Sequence, residues 1–123
     1  MVVDSSKEYR KALGLYNLKP NSTRLIILTR DGRGVLNSEL KSGMNRAEAV
    51  GSWLRYYKRA LPLFDKYVSD THKIHIRYEE LATNPIDTLK KLCVFSGLDY
   101  EREMLNYRDS SHHILNGNGM RLN

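Results

Sequence analysis

The stretch Leu25-Ile26-Ile27-Leu28-Thr29-Arg30-Asp31-Gly32-Arg33-Gly34-Val35-Leu36-Asn37-Ser38 decides the fold class. Four consecutive apolar residues of high β preference, flanked by polar ones, suit a strand buried on both faces, as in a parallel sheet. The run ends in an arginine, turns through glycines and enters a helical stretch that reaches about Ser42, where Gly43 stops it. In an open α/β sheet, ligands sit beyond the carboxyl ends of the strands. A helix start at that edge offers free backbone N–H groups and the positive end of the helix dipole. Arg30 and Arg33 add fixed charge, and a planar guanidinium matches the fork of a phosphate or sulfate. Ser38 lies along the same helix, where its hydroxyl can donate to the same anion. The stretch therefore reads as an oxyanion site. It reads equally well as an Arg30–Asp31 surface ion pair beside glycines that only shape a turn, and the residues alone leave both open.

Outward from this stretch, strands and helices alternate. Val2-Val3 is too short for a strand by itself but fits the end of one. Lys7 to Tyr16 has Tyr9, Ala12, Leu13 and Tyr16 at helical spacing. From Arg46 to Val68 an apolar stripe (Ala47, Val50, Leu54, Tyr57, Leu61, Phe64, Val68) steps by three and four, with Trp53, Tyr56, Ala60, Leu63 and Tyr67 beside it. Pro62 inside this stripe predicts a kink or a split. Ile74, Ile76 and Tyr78 alternate with His75 and Arg77, the pattern of a half-buried strand. Asn84-Pro85 reads as an N-cap and first helical residue. A helix with Ile86, Leu89, Leu92 and Cys93 on its face follows, ended by Gly97. The polar tail from Ser110 reads as loop. Helices alternating with strands imply a parallel sheet with crossover helices. Three strands make a small sheet, and one that begins almost at residue 1 implies more sheet upstream.

Composition narrows the function classes. A chain of 123 residues favours one domain or part of one. The net charge of +6 points to an anionic ligand without choosing between nucleotide, nucleic acid and membrane surface. The single Cys93 excludes an internal disulfide framework and a multi-cysteine zinc site, and fits a reducing, cytoplasmic compartment. A Golgi-lumenal fragment is the alternative, and only there would the Asn21-Ser22-Thr23 sequon matter. No apolar run approaches the roughly 18 residues of a membrane span. Met1-Val2-Val3-Asp4 turns polar at once, which does not read as a signal peptide. His72, His75, His112 and His113 lack metal-ligand spacing, so no metal is expected. Cys93 and Trp53 fall in regular apolar stripes and read as packing.

Arg30 to Ser38 resembles the 3′-phosphate-binding segment of sulfotransferases that use 3′-phosphoadenosine 5′-phosphosulfate (PAPS). The family pattern is a strand ending in Arg-Asp-Pro-Arg, then a helix with a serine eight positions after the first arginine. Arg30 and Ser38 have that spacing, and Gly32 stands where proline is commoner. Three more segments agree in order. Val2-Val3-Asp4-Ser5-Ser6-Lys7 is similar to the family's Asp-Ser-Ser-Lys strand end. Arg77-Tyr78-Glu79-Glu80-Leu81 with Asn84-Pro85 is similar to its Tyr-Glu-Asp-Leu…Pro segment. His113 through Gly117-Asn118-Gly119-Met120-Arg121 is similar to its C-terminal loop. The family's Gly/Ser-rich loop for the 5′-phosphosulfate has no counterpart before Asp4.

The resemblance implies that residues 1–123 are the C-terminal portion of a sulfotransferase domain, a partial P-loop-NTPase-like three-layer α/β fold. It implies PAPS as donor, no metal, and transfer of a sulfuryl group to an acceptor hydroxyl or amine. Arg30 and Ser38 would hold the 3′-phosphate, Tyr78 would stand near the nucleotide, and Arg121 would close over its phosphates. Asp4 would serve as general base and Lys7 would stabilise charge on the sulfate, although Asp4-Ser5-Ser6 also fits a helix N-cap. The chain alone is expected to be inactive without the missing loop. An incomplete sheet would leave an edge open to a second copy. The competing reading is a non-catalytic basic nucleotide- or RNA-binding module with steep salt dependence. Scattered basic residues and the lack of an RNA-binding motif weigh against nucleic acid.

Overall fold

The structure, a computed structural model, describes residues 2–4, 8–41 and 43–109. It is a mixed α/β arrangement around a two-stranded parallel sheet. Helix α1 spans Tyr9–Leu18 and leads into β1, Leu25–Thr29. The crossover holds α2 (Gly32–Lys41), α3 (Arg46–Arg55), a π turn (Tyr56–Ala60) and α4 (Leu61–Tyr67). Then come β2 (Lys73–Arg77), α5 (Tyr78–Thr83) and α6 (Pro85–Ser96), followed by 3₁₀ turns over Arg102–Asp109. Ile26 pairs with Ile74, and Leu28 with Ile76.

One side of β1 carries the core. Ile27 packs with Tyr16 of α1, Ala60 of the π turn, Phe64 of α4 and Val68, and Tyr9, Ala12, Leu13 and Leu61 close around them. The helical spacing of the α1 residues was legible, but the helix begins two residues later than expected. Glu8 sets its start, accepting the Arg10 backbone N–H at 3.1 Å. On the other side, α5 and α6 pack on β2, where Ile76 and Cys93 are buried.

Several expectations need correction. β1 is not buried on both faces: Ile27 is 5% exposed, but Ile26 is 51% and Leu28 50%, because α5 and α6, the helices on their side, pack over β2 rather than β1. Val2 and Val3 pair with no described strand, so the sheet has two strands rather than three among the described residues. Tyr78 does not end β2 but opens α5, and at 41% exposure it does not join the core. Asn84 does not cap α6 with its side chain. Its amide Nδ2 donates instead to Asp87 at 2.9 Å.

Pro62 falls in the opening turn of α4, and the long stripe is split there, as expected, by the π turn that precedes it. Arg55, Tyr56, Ala60 and Leu61 all keep right-handed helical backbone angles. A proline in a helix removes one N–H and crowds the carbonyl four residues back, here that of Lys58. The wider π turn lies directly over that position and takes up the mismatch. Gly43 and Gly97 follow α2 and α6 with positive φ, as their positions in the sequence suggested.

Candidate functional site

The turn between β1 and α2 is fixed from three directions. Asp31 caps α2: its Oδ1 accepts the Arg33 backbone N–H at 2.8 Å. The same carboxylate takes a two-pronged ion pair from the Arg33 guanidinium, Nε to Oδ1 and Nη2 to Oδ2, both at 3.0 Å. These side-chain bonds first, and the backbone bond second, hold the Asp31 carboxyl down at about 2. From α5, Glu79 Oε1 accepts the Asp31 N–H at 2.8 Å, and that bond is the chief reason its own carboxyl is lowered. From α3 and the π turn, Trp53 Nε1 (3.3 Å) and the Tyr57 hydroxyl (3.2 Å) donate to the Arg30 carbonyl. The two rings lie against each other, 4.5 Å between centroids.

The glycines follow from close approach. A Cβ on Gly32 would stand 3.0 Å from the Trp53 indole, and one on Gly34 would stand 2.9 Å from Arg30 Nε. Gly32, where the resemblance expected proline, therefore leaves room for the indole that holds the Arg30 carbonyl. Trp53 is packing, as its stripe suggested, but what it packs on is the β1–α2 turn.

Of the two sequence readings, the Arg30–Asp31 ion pair is not what forms. Asp31 pairs with Arg33, and Arg30 meets no carboxylate among the described residues. The Arg30 guanidinium lies against Gly34 in the first turn of α2 and 4.5 Å above the Tyr78 ring. Ser38 is four residues beyond Gly34 and so shares its face of the helix. Its hydroxyl bonds to no described protein group. Arg30 and Tyr78 thus meet at the carboxyl edge of the sheet beside the first turn of a ten-residue helix, and Ser38 lies one turn further along it. Arg33, by contrast, is occupied by Asp31.

Beside them opens a cleft of about 660 Å³, lined by Leu36, Trp53, Tyr57, His75, Arg77 and Glu79 among others. His75 Nε2 lies 2.7 Å from the Thr29 hydroxyl, tying the ends of the two strands together. Sequence reasoning missed this second ring of residues. His75 gave a strand-alternation signal and Glu79 a motif match, but neither pattern reveals a bond across 48 residues. Asp4 is bound to Lys11 at 2.6 Å. Lys7 and Arg121 lie outside the described residues. Among the described residues, no cluster of His, Cys, Asp and Glu could hold a metal ion, and no helix is long and apolar enough to cross a membrane.

Neither the curated proteins nor the solved structures contain a match to the chain. A family model does match, over residues 7–102, which takes in α1, both strands, the β1–α2 turn and α6, and its description is "Sulfotransferase family". With most of its length inside that match, the chain belongs to the sulfotransferase family.

Proposed function

We propose that the chain binds the 3′-phosphoadenosine end of PAPS at the β1–α2 turn, as the C-terminal portion of a PAPS-dependent sulfotransferase. The observation that carries this reading is the placing of Arg30. Its guanidinium has no acidic partner among the described residues and rests on Gly34 over the opening turn of α2, one turn before Ser38. The 3′-phosphate fits there, between a guanidinium, a hydroxyl and open helix amides. Tyr78 presents an exposed ring beside the same point. Arg121 is proposed to close over the phosphates.

When bound, PAPS supplies a sulfuryl group on a good leaving phosphate. The acceptor oxygen or nitrogen bonds to sulfur, the sulfur–oxygen bond to the 5′-phosphate breaks, and adenosine 3′,5′-bisphosphate departs. The acceptor must lose a proton and the leaving oxygen's charge must be stabilised. We assign the proton to Asp4 and the charge stabilisation to Lys7. Asp4 can act only when released from Lys11. The Gly/Ser-rich loop for the 5′-phosphosulfate is not among the 123 residues, and the reading assigns it to a preceding segment. The bare side of β1 at Ile26 and Leu28 supports that assignment, because it leaves apolar surface for further structure. A cytoplasmic location is part of the reading and agrees with the free thiol of Cys93.

The test is calorimetric titration with adenosine 3′,5′-bisphosphate and with AMP. The bisphosphate should bind more tightly. Arg30→Ala should remove about 1.5–3 kcal/mol, roughly 10- to 150-fold, from the bisphosphate and little from AMP. Equal weakening of both would remove the 3′-phosphate assignment.

A further inference from the structure

A second group of cations lies away from the Arg30 turn. Arg10, in the first turn of α1, faces Arg55 and Arg59 across a hollow of about 310 Å³ completed by Glu8, Ser52 and Tyr56. Ser52, Arg55, Tyr56 and Arg59 follow the i, i+3, i+4, i+7 spacing of one helix face, continued through the π turn. A Cβ on Gly51 would lie 3.9 Å from Arg55 Nη1, so that side chain folds back along its own helix. Arg10 lies over the Tyr9 ring, 5.7 Å from its centroid.

Of the nearby acids, Glu8 lines the hollow and its charge favours the protonated Arg10, and the others are engaged elsewhere. Glu8 caps α1 through the Arg10 backbone N–H. Asp4 pairs with Lys11, and Glu48 completes the capping box of α3 with Asn45. Among the described residues, no ion pair reaches Arg55 or Arg59. Glu8 offsets one of the three guanidiniums, Arg55 and Arg59 keep like charges beside the hollow without an acidic partner, and the start of α1 adds the positive end of its dipole. An anion in the hollow would relieve both.

We infer that this hollow is a second oxyanion site, and that it takes a sulfate or phosphate monoester carried by the acceptor. Its helix also presents Trp53 and Tyr57 on the neighbouring face, where they bond the Arg30 carbonyl. The hollow and the nucleotide turn are therefore held to each other through one helix. An acceptor gripped by its existing anion would be oriented toward the donor before transfer. The acceptor part of this inference rests on the sulfuryl-transfer reading, whereas the anion site stands without it.

The experiment uses the full chain at fixed ionic strength and three probes: glucose 6-sulfate, glucose 6-phosphate and free glucose. At least one ester should bind, with free glucose showing no measurable binding, and the tighter ester names the anion. The double variant Arg55→Ala/Arg59→Ala should weaken ester binding at least tenfold and leave adenosine 3′,5′-bisphosphate binding unchanged. Arg30→Ala should do the reverse. Esters that bind no better than glucose, that bind the double variant equally well, or that are lost with Arg30→Ala would overturn the site. Ester binding without any bisphosphate binding would instead remove the nucleotide reading and keep the anion site.

Discussion

The two sides of β1 are buried to very different extents. Ile27 lies 5% exposed against Tyr16, Phe64 and Val68, while its neighbours Ile26 and Leu28 are half exposed. The strand chemistry is the same on both sides. What differs is whether the helices on that side reach over β1 or stop over β2. Burial here is a property of the assembled layers, and an apolar residue in a strand has no burial of its own.

The largest expected effect breaks the covered side. Phe64→Ala empties the centre of the core and should cost about 3–5 kcal/mol in urea unfolding. Leu28→Gln, on the bare side, should change stability by no more than about 0.5 kcal/mol in the same assay. A large loss from Leu28→Gln would mean that something covers that face in solution.

Gly34→Ala separates fold from site. Alanine is better than glycine inside a helix by about 1 kcal/mol. The new Cβ would meet only the far part of the Arg30 side chain. The melting temperature should hold or rise, while affinity for adenosine 3′,5′-bisphosphate falls several-fold as Arg30 is pushed aside. A fall in melting temperature with affinity intact would place Arg30 in the fold rather than in binding.

The smallest effect sharpens the account of the turn. The Asp31 carboxyl titrates at about 2 in the folded chain, below the roughly 3.9 of an unfolded aspartate. A lowered folded value contributes stability that is full above the unfolded value and is lost as pH falls through the folded one. The wild-type advantage over Asp31→Asn should therefore be level above about pH 4 and shrink toward pH 2. A gap between the two that stays constant over that range would assign the Asp31 contribution to capping geometry alone.

Much of the architecture could be read from pattern. The 3.6-residue stripes of α1, α3–α4 and α6, the two strands and both glycine stops follow from side-chain spacing and backbone preference, which are local. The errors have non-local causes. The exposure of Ile26 and Leu28 depends on which helices cover β1. The departure of Tyr78 into α5 depends on where β2 loses its partner, since Arg77 is the last residue paired with β1. Within the site, Arg30 and Ser38 were visible through their spacing. That Arg33 would be taken by Asp31 while Arg30 stayed unpaired was not visible, because both arginines are near the same acid in sequence. Trp53, Tyr57 and Glu79 reach the turn from 23, 27 and 48 residues away, distances over which no periodicity carries information.

Those separations have a kinetic meaning. The bond from Glu79 to the Asp31 N–H closes a loop of 48 residues, and the β1–β2 ladder closes loops of the same length. Long loops lose chain entropy before their contacts return any gain, so such contacts form late in folding. The helices of the crossover can form early, from local contacts, but the turn that holds Arg30 can be set only when the strands meet. Folding and readiness to bind are then a single event, and a ligand at this turn would slow unfolding of the whole sheet rather than of one loop.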